Sequence, residues 1–342
     1  MNFPLWKLPH VPRALVIRQV EPINVIQLSM KSKRLKSFLM IFKLFAYKLS
    51  LSFGEEQYPP RYDYKPPDLI RLSIMFDKDD DWNYFERKSE WHFEFFAQND
   101  AEKQFQKLKT QNLCILYDLG SQALRIQRIQ ALTNHILDIV YVKKYELGHF
   151  IIPGYNSWNN FFLKDQIKNF EKVDIDTRKF ETWSAGALQD LFNNLRTKEL
   201  WLRIRIDTPG THRFKFNKLT HFYLFECDWL SVDDLIEVDS EWYHLSLNEP
   251  MDLMKIVVAW KSGKKMENLF ELIMDFQGKV SPDDVLQKID QFEGVRKYQD
   301  EDNARFFKRD TDGQIAFICV GEQYFELSLN KIGCEPYQSP SI

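Results

Sequence analysis

The sequence predicts an α/β chain: a short α-helical N-terminal segment, then irregular strand–helix repeats, then a small antiparallel β cap. Three observations predict this. Two apolar stripes at helical spacing occupy the first thirty residues, separated by Glu21-Pro22. From about residue 170, short alternating strands begin at intervals of 27, 22, 21 and 27 residues. Near the C-terminus, three strand-like segments are joined by tight-turn signals, Asp312-Gly313 foremost.

The N-terminal stripe Ala14, Leu15, Val16, Ile17 and Val20 predicts a first helix, with Pro12 suited to its first turn. Glu21-Pro22 ends it, because the residue before a proline is pushed out of the α region. Val25, Ile26 and Leu28 predict a second helix, followed by the basic run Lys31, Lys33, Arg34 and Lys36. Helices this short are marginal alone and need a partner surface. Residues 38–53 are the most apolar run; Lys43 and Lys48 interrupt it, and it is too short to span a bilayer. We expect it to finish the helical segment, which gives a first domain over 1–53.

Residues 54–68 hold four of the fourteen prolines and read as a linker. Within 69–170, an α/β region without a legible fold, 69–76 and 91–96 predict strands and 126–140 a helix. The acidic run Asp77–Asp81 fails as a calcium loop, because Trp82 and Lys88 stand where Gly and Glu are needed.

The region 171–342 carries the repeats. Strands are expected at Val173/Ile175, Leu200/Leu202/Ile204, Phe222/Leu224, Tyr243/Leu245/Leu247 and Phe270/Leu272/Met274. Their period lies in the range of leucine-rich repeats, without the asparagine ladder of regular ones. Helices between them have legible starts: Ser184 before Leu188, Leu191, Phe192 and Leu195; Ser231 with Asp234; and Ser281 followed by Pro282. Leu253, Ile256, Val257 and Trp260 form another stripe, closed by Gly263. Strand–helix alternation predicts parallel strands with helices on one side. The tail segments 304–308, 315–320 and 323–329 should cover the last apolar face.

Composition narrows function. Net charge is −3, so no global field calls for nucleic acid or an anionic membrane. The four cysteines form no CxxC pair, which favours a reducing compartment and an intracellular, cytoplasmic or nuclear, protein. The seven histidines lack zinc-helix spacing, and no nucleophile elbow, Walker loop or GxGxxG occurs, so we expect no catalysis, metal or cofactor. His221 and His244 fall on consecutive strands; a stacked ligand-binding pair there is weighed against hydrogen-bonded sheet histidines, the commoner role. The tryptophans, Trp158 to Trp260, read as core and repeat-edge packing.

Leu8-Pro9, a helix, Glu21-Pro22, a second helix and Ser32-Lys33-Arg34 resemble the F-box, in the form found in the large nematode family. Ser32 and Leu35 replace the Cys and Trp of many F-boxes, as is usual in that form. The segments Leu219–Leu224, Asp228–Leu235 and Val258–Gly263 resemble the type-2 F-box-associated domain of the same family, over about residues 199–275. The resemblance implies a non-catalytic substrate receptor of an SCF-type ubiquitin ligase. Its F-box would bind a Skp-family adaptor, and through it a cullin–RING ligase. Its second domain would hold a protein substrate. The alternatives are a repeat-type interaction scaffold with no ligase role, and a ligand-binding protein or enzyme with a site on the strand face.

On this reading the adaptor contacts are Leu8, Pro9, Leu15, Val16, Val20, Pro22, Val25, Ile26 and Leu28. Alternation along the strands turns Leu200, Leu202 and Ile204 inward and leaves Trp201, Arg203 and Arg205 outward, with His244 outward on a neighbouring strand. Those four are the expected substrate contacts, since Trp and Arg are enriched among binding hot spots.

Overall fold

The structure is a computed structural model that describes residues 5–53, 70–76, 90–97, 113–118, 122–148, 161, 167, 169–176, 182–207, 213–298 and 302–329. The expected linker 54–68, the acidic run 77–81 and Trp158 lie outside these residues. The chain divides into two compact units, 1–150 and 151–342.

In the first unit, a single 3₁₀ turn (Leu5–Lys7) leads into α1 (His10–Arg18), α2 (Pro22–Lys31) and α3 (Lys33–Ile41). Pro22 opens α2 at its first turn, where its missing N–H costs nothing. Ser32 caps α3, its Oγ accepting from the Leu35 N–H at 3.2 Å. The basic run therefore crosses a helix boundary and does not simply close the second helix. Leu44–Phe53, expected to complete the helices, is strand β1. Leu44, Ala46, Tyr47, Leu49 and Leu51 are buried: the inward phase changes once, at Tyr47, so two short period-two stretches make one strand.

β2 (Ile70–Met75) and β3 (Glu90–Ala97) follow antiparallel, and β4 (Leu113–Asp118) lies parallel to β3. Helix α4 (Gln122–Ile139) then returns the chain to β5 (Val140–Gly148), which runs parallel to β1 on its other side. The strand order is β5-β1-β2-β3-β4. Ile129, Leu132 and Ile136 of α4 are buried, and α4 contacts α2 and α3.

The second unit opens with β6 (Phe170–Asp176), β7 (Thr182–Trp183), α5 (Ala185–Asn194), β8 (Thr197–Arg203) and β9 (Arg205–Ile206). It continues with β10 (His221–Phe225), α6 (Val232–Glu237), β11 (Trp242–Leu247), α7 (Leu253–Lys261), β12 (Glu271–Phe276) and α8 (Pro282–Ile289). Strands β6, β8, β10, β11 and β12 lie side by side, all parallel. The expected caps form: Ser184, Ser231 and Ser281 each accept from the backbone N–H three residues on. Gly263 takes φ +65° after α7, the left-handed cap a glycine allows.

One face of this sheet is core. Leu200, Leu202, Phe222, Leu224, Tyr243, Leu245, Leu272 and Met274 are all buried, as are the inner positions of the intervening helices, such as Leu188, Leu191, Leu235, Ile256 and Val257. Polar anchors fix the connections. Trp229 Nε1 donates to the Ile204 carbonyl at 3.0 Å, and Tyr243 Oη donates to the Val238 carbonyl at 2.6 Å. The Asp234 carboxylate accepts from the Phe214 N–H at 3.1 Å.

The tail forms β13 (Arg296–Lys297), β14 (Ala304–Lys308), β15 (Ile315–Val320) and β16 (Tyr324–Ser328), all antiparallel to their neighbours. Phe307 of β14 packs edge-on against the buried Trp260 of α7. β16 pairs with β12, so the four strands extend the sheet in its own plane. Gly313, at φ +71°, supplies the expected turn between β14 and β15. Buried Arg305 is held by both oxygens of Asp290, at 2.6 and 3.1 Å.

Candidate docking surfaces

The first surface belongs to α1–α3. The chain entering α1 is fixed by Arg13, whose Nη2 donates to the carbonyls of Trp6 (3.1 Å) and Leu8 (2.6 Å). Its guanidinium lies 5.0 Å from the Trp6 ring centre, and Arg34 approaches the same ring at 4.6 Å. Phe38 stacks on His10 and Phe42 behind them. Leu8 is thereby held partly buried, next to an exposed Pro9.

The expected adaptor contacts divide by burial. Val25 and Ile26 are 2% and 0% exposed and pack into the unit's own core with Ile17, Ile23, Leu35, Phe38 and Leu39. Val16 and Pro22 are partly buried. Leu15 (55%), Leu28 (53%) and Val20 stand exposed. Spacing alone does not separate these groups, because both lie on apolar positions of short helices. Burial adds Val11, Met30, Met40 and Ile41 to the exposed set. Val11 is the informative addition, since it stands one turn before Leu15 on the same face of α1.

The second surface is the outer face of the parallel sheet. Cross-strand register arranges it in rows. One row runs Lys172, Glu199, His221, Trp242, Glu271. The next runs Asp174, Trp201, Tyr223, His244, Ile273. These side chains are partly exposed, in contrast to the buried residues between them. Trp201 stacks on Tyr223 with ring centres 4.1 Å apart, and Lys172 Nζ lies 4.2 Å from the Trp201 ring centre. Arg203 sits 4.4 Å from the Phe225 ring centre and 3.2 Å from the Asp176 carboxylate. His244 Nε2 meets the Asp275 carboxylate at 3.0 Å.

Trp201, Arg203 and His244 are thus brought together as the alternation predicts, and Arg205 is not. β8 stops at Arg203; Arg205 and Ile206 leave the sheet to pair with Thr182 and Trp183 in a separate two-stranded ribbon. His221 and His244 do not share a row either. His221 faces Trp242 and Glu199 across the strands, while His244 lies two residues further along its own strand. Sequence reasoning missed Tyr223, Phe225 and Trp242 as surface aromatics. Their outward phase follows from the buried Phe222, Leu224 and Tyr243 between them. The Tyr223 hydroxyl is pushed above its ordinary range by burial, then by the nearby carboxylates Glu199 and Glu271.

Elsewhere, burial beside Asp228 pushes the Cys227 thiol far up, which keeps it protonated. Trp183 and Trp260 are fully buried core residues. Among the described residues, no group of three or more His, Cys, Asp or Glu side chains is placed to hold a metal ion. Among the same residues, no helix is long and apolar enough to cross a membrane. No family model, no curated protein and no solved structure matches this chain.

Proposed function

We propose that this chain is a non-catalytic substrate receptor of an SCF-type ubiquitin ligase. Helices α1–α3 act as the F-box that grips a Skp-family adaptor. The second unit, a leucine-rich-repeat-like F-box-associated domain, holds a protein substrate on its outer sheet face. Ubiquitin transfer is then promoted by proximity, since a tether turns the second encounter into a local event.

One observation carries the adaptor half. The three helices already bury Ile17, Val25, Ile26, Leu35 and Phe38 against their own unit, and still leave Val11, Leu15 and Leu28 in water. Val11 and Leu15, on successive turns of α1, with Leu28 on α2, support a protein-binding surface on these helices. A hairpin that merely packed on its own domain would not need them.

The test is copurification of a Skp-family adaptor with the full chain. Leu15→Ala/Leu28→Ala should abolish it, because exposed anchors of this kind each contribute about 2 kcal/mol or more. The double variant should melt as the wild type does, since neither side chain is in the core. Undiminished adaptor binding would remove the F-box assignment and favour an interaction scaffold without a ligase role.

A further inference from the structure

We infer that the outer sheet face of the second unit takes an extended polypeptide segment carrying two cationic side chains four or five residues apart. This names the substrate chemistry of the face that the proposed function uses, and it rests on that reading of the face as a protein-docking surface.

Glu199 and Glu271 flank His221 and Trp242 in the row that Lys172 begins, and His221 Nδ1 lies 3.9 Å from the Glu199 carboxylate. Asp174 begins the next row, and Asp275 lies beyond its far side, beside Ile273 and His244. Among the described residues, the face carries two cations, Lys172 and Arg203, against five carboxylates, Asp174, Asp176, Glu199, Glu271 and Asp275. Lys172 lies over Trp201, and Arg203 is shared between Asp176 and the Phe225 ring. These two contacts also show how the aromatic rings here are used: their π faces receive positive charge. The field felt at the centre agrees, since Glu199 and Glu271 both act to keep the Tyr223 hydroxyl protonated. An incoming cation meets rings and carboxylates, whereas an incoming anion meets carboxylates.

Geometry sets the size of the partner. Adjacent strands lie about 4.8 Å apart, so Glu199 on β8 and Glu271 on β12, three strands apart, are separated by about 14 Å. One amine cannot reach both. An extended chain advances about 3.3 Å per residue, which puts the matching cations four or five residues apart. Trp201, Tyr223 and Trp242 lie along the path and offer flat apolar area for the residues between.

The experiment uses the full chain and labelled probes read by fluorescence anisotropy. The probes are a ten-residue Gly/Ser peptide with two arginines four residues apart, the same peptide with glutamates in their place, and a ten-nucleotide single-stranded RNA. The arginine peptide should bind and the other two should not. Glu199→Gln/Glu271→Gln should weaken it roughly tenfold, and raising the salt should weaken it in the wild type. Glu237→Gln, on helix α6 and paired with Lys265, should leave binding unchanged. Equal binding of the glutamate peptide or the RNA, no binding of the arginine peptide, or equal weakening by Glu237→Gln would overturn the inference. Adaptor copurification, measured on the same preparations, separates the two readings. Loss of peptide binding with the adaptor retained sinks this inference alone. Peptide binding without any adaptor supports it while removing the ligase.

Discussion

His135 on α4 is a side chain through which acidity should act on stability. Its Nε2 lies 2.8 Å from Ser29 Oγ on α2, and Ser29 is itself buried and donates to the Ile26 carbonyl at 2.6 Å. Burial lowers the His135 pKa, Lys36 lowers it further, and Asp138 acts the other way. A base whose pKa is lowered on folding binds its proton more readily in the unfolded chain. The stability it contributes is therefore complete above the ordinary value near 6.5 and is lost as pH falls through the folded value. The melting temperature should drop between pH 7.5 and 5.5, and His135→Gln should flatten that slope. Parallel pH profiles for the two proteins would show that this residue is not the sensor. The contact itself was illegible in the sequence: Ser29 and His135 are 106 residues apart, and nothing local pairs them. Legibility at this scale tracked locality. The caps at Ser184, Ser231 and Ser281 and the turn glycines Gly263 and Gly313 depend on neighbours within four residues, and all were readable.

At the scale of elements, α2 carries two kinds of apolar residue, and substitution should tell them apart. Ile26 is fully buried, so Ile26→Ala removes packed methyl groups and leaves a cavity, costing about 2–5 kcal/mol. Leu28, two residues on, faces water, and Leu28→Ala should change stability by less than about 0.5 kcal/mol. Denaturant melts of the two single variants check this, and a similar loss for both would mean that the helix is packed differently. A stripe of three apolar residues on a ten-residue helix cannot announce which of them the protein keeps for itself. The same limit misplaced residues 44–53. The inward phase changes at Tyr47, so no single alternation runs through the segment, and the strand is fixed by pairing with β5, some 96 residues away. Arg205 failed for a related reason, because the alternation runs on past Arg203 while the strand does not.

For the molecule as a whole, the parallel order of β8, β10, β11 and β12 was readable from period alone, since each strand–helix unit is short and each strand pairs with the next. The sheet of the first unit was not, because β1 and β5 become neighbours across most of that unit's length. This division bears on function. The exposed residues of α1–α3 belong to the first unit and the charged aromatic face to the second. Leu15, Leu28, Glu199 and Glu271 are none of them buried, so replacing them removes no core side chain. Interactions of residues that share no partner add independently. Leu15→Ala/Leu28→Ala should therefore lose the adaptor and keep wild-type affinity for the arginine peptide. Glu199→Gln/Glu271→Gln should do the reverse, and the quadruple variant should show both losses at their single-site sizes. Ubiquitination of a substrate fused to the arginine peptide should be lost wherever the adaptor is lost and should fall roughly tenfold in Glu199→Gln/Glu271→Gln, because a proximity mechanism needs both grips at once. Wild-type activity in either double variant would mean that the two surfaces do not act as the two ends of one tether.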